Sequence, residues 1–158
     1  MRILVCITLI ALALGCSANA DQSPRFEDFA VTNLFKGTTA VVDLSSHPEA
    51  RHYRTELRRQ AAEGADFAGH YKIAIWGCGS SCAQFAIVDS QSGRVYFPRE
   101  LSYYTWADYD GTNFGLQYRL DSKLLVLHGS PAEEPQVGAF YYVWQTNSLL
   151  LIRKELKK

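Results

Sequence analysis

The chain has 158 residues, with 16 basic against 16 acidic side chains and 13% aromatic residues. That balance excludes the basic footprint of a nucleic-acid binder, and the length allows one domain with a proper core. Many rings beside few charges suit a small β-rich domain with aromatic residues on two sheet faces, or a dedicated aromatic platform.

Residues 1–20 read as a signal peptide. Arg2 is their only charge, residues 3–14 are apolar, and Ala18-Asn19-Ala20 has the A-x-A form of a cleavage site ahead of Asp21. The run is too short for a transmembrane helix, and no transmembrane segment is expected in the mature chain. A second exit stands beside the first. Leu14-Gly15-Cys16 resembles the lipobox of bacterial lipoproteins, although Ala13 occupies a position where that pattern favours leucine. The expectation is a periplasmic or secreted protein cleaved before Asp21, with an outer-envelope lipoprotein anchored at Cys16 as the alternative. Residues 21–158 are expected to form a single globular domain.

The mature chain opens with Phe26, Phe29 and Phe35, placed to pin the N-terminal segment to the body. Residues 39–44 are β-branched and alternating and read as a first strand. Ser46 and Glu49 then have capping-box spacing, and an early proline, Pro48, is tolerated there. This predicts a helix over 48–63, stopped by Gly64. At about 100° per residue, Ala50, Tyr53, Leu57 and Ala61 form one apolar stripe. Arg51, Arg54 and Arg58 line one flank and Glu49, Glu56 and Glu63 the other. The arginine flank is either a cationic edge for an acidic partner or a solvated face whose stems lie over the sheet.

Residues 69–98 are the centre of the chain. Tyr71, Ile73 and Ile75 alternate with His70, Lys72, Ala74 and Trp76, so the odd positions suit a buried face. Phe85 and Ile87 continue that face, and Val95 and Phe97 are expected on it after a turn at residues 90–93. Residues 98–115 look irregular and contain Trp106. The acidic run 108–113 has the oxygen ligands of a calcium loop but lacks its closing glutamate, and Asp110-Gly111 is an ordinary turn pair. Leu116, Tyr118 and Leu120 point inward on a further strand. Residues 123–128 follow as its hairpin partner, and 129–136 form an exposed loop. Residues 137–145 and 149–155 make a last hairpin, whose run 149–152 suits a central, doubly covered strand or a short helix, with its place beside a strand and a turn favouring the strand.

Cys6 and Cys16 fall in the leader, leaving Cys78 and Cys82. In an oxidising compartment, two cysteines separated by three residues across a turn are most simply a disulfide. The closed loop is small, so chain entropy contributes only about 2 kcal/mol. Its larger effect would be geometric, fixing Gly79, Ser80 and Ser81 as a protruding tip beside Trp76. A redox dithiol would favour Cys-x-x-Cys opening a helix. A metal site would need further ligands, and His47, His52, His70 and His128 are scattered singly. Catalysis at Ser80 or Ser81 would need a base, and His70 stands at the far end of the strand. No catalytic residue, metal ligand or cofactor is therefore assigned.

The segments 67–71 (FAGHY), 76–82 (WGCGSSC), 87–89 (IVD) and 92–96 (SGRVY) together resemble a group of small exported bacterial proteins of unassigned function. The resemblance implies export and a compact β-rich domain, and it brings no activity. A likeness of design only links the tip to periplasmic lysozyme inhibitors that plug an enzyme cleft with a disulfide-closed loop. The expected fold is α+β: a mainly antiparallel, curved or barrel-like sheet with one N-terminal amphipathic helix. The expected function is a non-catalytic binding protein, an inhibitor of a cell-wall-degrading enzyme being one form. Its partner would be a protein of the envelope, met by Trp76, Gly79, Ser80, Ser81 and Trp106. The alternatives are a small hydrolase with its site at the Gly-rich loop, and a structural envelope lipoprotein.

Overall fold

The computed structural model describes residues 22–107, 113–131 and 135–157. The expected leader with Cys16, positions 108–112 of the acidic run, and positions 132–134 with Glu133 and Glu134 lie outside the described residues. Eight strands form one open antiparallel sheet: β1 (Tyr71–Gly79), β2 (Cys82–Asp89), β3 (Val95–Tyr96), β4 (Tyr104–Trp106), β5 (Leu116–Tyr118), β6 (Leu124–Pro131), β7 (Gly138–Trp144) and β8 (Leu149–Leu156). Hydrogen bonding runs β1-β2-β4-β6-β7-β8, with β3 on β2 and β5 on β6. β1 and β8 are the free edges, so no barrel closes among the described residues.

The pairing register explains how this sheet makes a core. β3 and β4 share one edge of β2, at Ile87–Val88 and at Cys82–Ala83 respectively. β4 and β5 likewise share one edge of β6. Three-residue β4 is thus the joint between two half-sheets, and beyond it the halves separate and pack face to face. Ile73, Ile75, Phe85 and Ile87 from one half meet Leu125, Leu127, Phe140 and Tyr142 from the other in a single buried cluster. Tyr104, on the joint itself, is fully buried between them. Burial pushes its phenol well above the ordinary range. Gly129 sits where β6 crosses β4, and a Cβ there would overlap the carbonyl oxygen of Thr105.

Each half-sheet has a second face. Over β1–β2, Ala50, Leu57 and Ala61 pack on Ala74, Ala86 and Val88, the small alanines letting the helix approach closely. Over β6–β7, Phe26 and Phe29 of a 3-10 turn (Phe26–Phe29) cover Leu124, Val126 and Tyr141. Phe35 joins neither cluster. Its ring lies over Gly37.

Several sequence expectations need correction. The helix over 48–63 divides into a 3-10 turn (Pro48–Arg51) and α1 (Arg54–Ala61). The capping box does not form. Ser46 Oγ instead donates to the Asp43 carbonyl (2.6 Å) and accepts the Val95 N–H (2.9 Å). His47 caps in its place, its Nδ1 accepting the Glu49 N–H at 3.2 Å. Gly64, at φ +91°, does end the segment.

Residues 39–44 form no strand. Their partner is the turn at 90–93, which offers the Ser90 and Gly93 carbonyls to Ala40 and Asp43 but no ladder. Val95 and Phe97 face the helix rather than the central core, because Val95 pairs with Val88. Trp106, expected in irregular chain, lies on β4. β8 is an edge strand rather than a doubly covered one. Leu150, Leu151 and Ile152 are 48%, 44% and 38% exposed.

Candidate functional site

The β1–β2 hairpin carries the residues that the sequence singled out. Its pairing runs without interruption from Tyr71–Asp89 to Gly77–Ala83, then shifts so that Gly79 pairs with Cys82. Cys78 occupies the bulge, and its sulfur is bonded to that of Cys82 across a Cα separation of 5.1 Å. Ser80 and Ser81 make the two-residue turn. Ser81 has φ +55°, and Gly79, which precedes the turn, has φ +150°. Residues 77–81 are all exposed. The disulfide therefore staples the last rung of a ladder that projects beyond the body of the sheet.

The two tryptophans flank this tip but do not meet. Trp76 pairs with Gln84 and faces the helix. Its ring stacks on Tyr53 at 4.4 Å and stands edge-on to Phe97 at 6.2 Å. Gln84 Oε1 accepts both the Tyr53 hydroxyl (3.0 Å) and the Trp76 indole N–H (3.2 Å), locking the pair in place. Trp106 is on the opposite face. Its backbone N–H donates to the Ser81 carbonyl at 3.2 Å, and its ring packs edge-to-face on Phe114 at 5.1 Å. The tip is thus braced from both sides, by an aromatic stack below and a main-chain bond from β4 beside it.

Among the described residues, neither Ser80 nor Ser81 makes a side-chain hydrogen bond. His70 stands at the other end of β1, with Nε2 3.9 Å from Asp89. The described residues hold no cluster of three His, Cys, Asp or Glu side chains able to take a metal ion, and no helix among them is long and apolar enough to cross a membrane. Of the arginine flank, Arg54 reaches back to the Arg51 carbonyl at 3.3 Å. The carboxylates of Glu56 and Glu63 pair with Arg59 rather than with it.

Sequence reasoning missed the apolar shelf under the tip. His47, Tyr53, Gln84 and Phe97 join Trp76 in lining a cleft of 430 Å³. Tyr53 carried a signal, as part of the helix stripe, but a stripe marks burial and not a shelf. His47 and Phe97 come together, ring centroids 4.6 Å apart, only because β3 crosses in front of the helix start.

A charged group also lies inside the same half-sheet. Lys72 Nζ bonds Glu63 Oε2 and Asp66 Oδ2, both at 2.9 Å. Burial alone would lower the lysine pKa, but its bonds to Asp66 and Glu63 raise it. Burial pushes the Asp66 carboxyl up, against the Lys72 ammonium and the Ile73 N–H that pull it down. Lys72 holds Glu63 below the ordinary carboxylate range. Comparison of the chain with protein-family models, with curated proteins and with solved structures finds no match.

Proposed function

We propose that the protein is an exported, non-catalytic binding protein that presents the Cys78–Cys82 tip to a protein partner in the envelope. The observation that supports this reading is the tip itself: a wholly exposed two-residue turn, closed by a disulfide at the end of a regular ladder. A loop ordered before binding avoids the entropy cost of ordering on contact. Braced aromatic neighbours supply the apolar area in which recognition energy concentrates. A cell-wall-degrading enzyme is the partner class this design suits, since a narrow rigid tip fits a cleft. The leader carries the chain out by cleavage before Asp21, and the oxidising compartment it reaches forms the disulfide. Lipidation of Cys16 is the alternative exit, read directly from the mass of the N-terminal peptide.

The test is capture of a partner from envelope extract by the native protein and by a variant carrying Ser80→Lys with Ser81→Lys. The captured protein is identified by mass spectrometry and assayed for wall lysis with and without the bait. Expected is capture and inhibition by the native protein, and loss of both in the variant with Tm nearly unchanged. Capture undiminished by the two lysines would place the recognition surface elsewhere.

A further inference from the structure

Two clefts run together from the Trp76 end of the helix face round to the β7–β8 turn, and they share His47, Phe97 and Arg99. One has a volume of 430 Å³ and the other 510 Å³, each in the range of small-molecule sites. The inner end is aromatic and carries a fixed amide. Gln84 Oε1 is occupied by Tyr53 and Trp76, which leaves both N–H groups of Nε2 as donors. His47 is set in the same way: its Nδ1 accepts the Glu49 N–H, so Nε2 is the protonated nitrogen and a donor.

The outer end is polar, with both signs of charge. Arg94, Arg99 and Glu100 line it, while the carboxylate of Glu49 lines the inner cleft beside Trp76. Glu100 is held by the Leu149 N–H at 3.4 Å. Over the two clefts together, two cations stand against two carboxylates, so the groove as a whole carries no net formal charge to draw a polyanion. It offers ring edges and apolar faces at one end, and both donors and acceptors along its length.

An uncharged sugar ring matches that lining. Its C–H face packs on aromatic surface, and its hydroxyls both donate and accept, so they use guanidinium, amide and carboxylate groups alike. The two clefts together have room for more than one ring. We propose that this groove binds an uncharged oligosaccharide. The proposal does not rest on the role of the tip, because Gly79, Ser80 and Ser81 line neither cleft, and Trp76 is the residue the two readings share.

The test is titration of the ¹⁵N-labelled protein with chitotetraose, cellotetraose and, as the acidic counterpart, tetragalacturonate at millimolar concentration. Expected are shifts of the Trp76 indole N–H and the Gln84 side-chain amide with at least one neutral sugar, while the indole of buried Trp144 stays still. Arg99→Ala, an exposed position, should weaken that binding about tenfold by loss of a charged hydrogen bond. Gln84→Leu should weaken it similarly, with thermal unfolding measured alongside; if that variant fails to fold, Arg99→Ala carries the test alone. Absence of shifts with both neutral sugars would overturn the proposal. So would shifts centred on Trp106, tighter binding of tetragalacturonate, or unchanged affinity in Arg99→Ala.

Discussion

At the scale of single residues, the outer edge of β1 shows how this protein protects a free strand. Ile75 has no neighbouring strand on that side, yet both its polar groups are met by one side chain. Gln60 Oε1 accepts the Ile75 N–H (2.9 Å) and Gln60 Nε2 donates to the Ile75 carbonyl (2.8 Å), as a neighbouring peptide group would. Asp66 Oδ1 takes the Ile73 N–H at 2.9 Å. The edge is therefore closed against pairing with another chain. Gln60→Leu keeps the size and leaves both groups of Ile75 unmet, which should cost about 1–3 kcal/mol. Urea unfolding checks the cost, and faster exchange of the Ile75 amide checks its cause. Full protection of that amide with unchanged stability would mean another group closes the edge. Lys72 is the second case. Its ammonium opposes the burial that raises Asp66, so Lys72→Met should push the Asp66 carboxyl higher still. The sign follows from linkage: a carboxyl with a raised folded pKa holds its proton in the folded state where the unfolded chain has lost it. Stability then falls as pH rises from the ordinary aspartate value through the folded one. That fall should be larger in Lys72→Met than in the native protein. At neutral pH the variant should be less stable by about 2–3 kcal/mol, below the usual cost for a buried pair because the partners are partly solvated. A ¹³C carboxyl titration with unfolding curves across acid pH reads both quantities, and an unmoved Asp66 would contradict the argument.

At the scale of elements, what was legible in the sequence is what local periodicity carries. The alternation of Tyr71, Ile73 and Ile75 against Ala74 and Trp76 sorts them onto the two faces they occupy, and cysteine spacing identifies the staple. The helix stripe is equally local: Ala50, Leu57 and Ala61 are buried on the sheet, although the helix itself is shorter than its pattern. Leu57→Ala should therefore cost about 2–5 kcal/mol, whereas Arg54→Gln, on the exposed flank, should stay within about 0.5 kcal/mol. Denaturant midpoints compare them, and equal small effects would mean the helix is not docked by this stripe. What periodicity does not carry is which strand comes next. Spacing puts Val95 and Phe97 on the wrong face, because their face depends on pairing with Val88 across a turn. Val41 has the β-branched character of a strand residue and is 86% exposed, since its neighbour is a turn with no ladder to offer. Gln60 has no pattern at all to mark it as an edge cap. The groove is hidden for the same reason, since His47, Tyr53, Gln84 and Phe97 come from four segments.

At the scale of the whole molecule, one short strand decides the architecture. Hairpins at β1–β2, β6–β7 and β7–β8 each follow from chain order, but β4 inserts between β2 and β6 and displaces β3 and β5 to the sides. That insertion makes a folded-over sheet out of what would otherwise be a meander, and it sets Trp106 beside the tip. The closeness of the joint is visible at Gly129, where β6 passes the Thr105 carbonyl with no room for a methyl group. The obstructing atom is backbone, so it cannot rotate away as a flexible side chain would. Gly129→Ala should therefore force the two half-sheets apart at the joint and destabilise by about 1–3 kcal/mol or more, as overpacking does. Gly77 in the tip provides the control. A Cβ there meets its nearest neighbour, the Cys82 carbonyl, at an ordinary 3.9 Å, so Gly77→Ala should leave stability nearly unchanged. Urea unfolding followed by tryptophan fluorescence measures both, since Trp106 reports on the joint and Trp76 on the helix face. A Gly129→Ala variant as stable as Gly77→Ala would show that β4 does not hold the halves together.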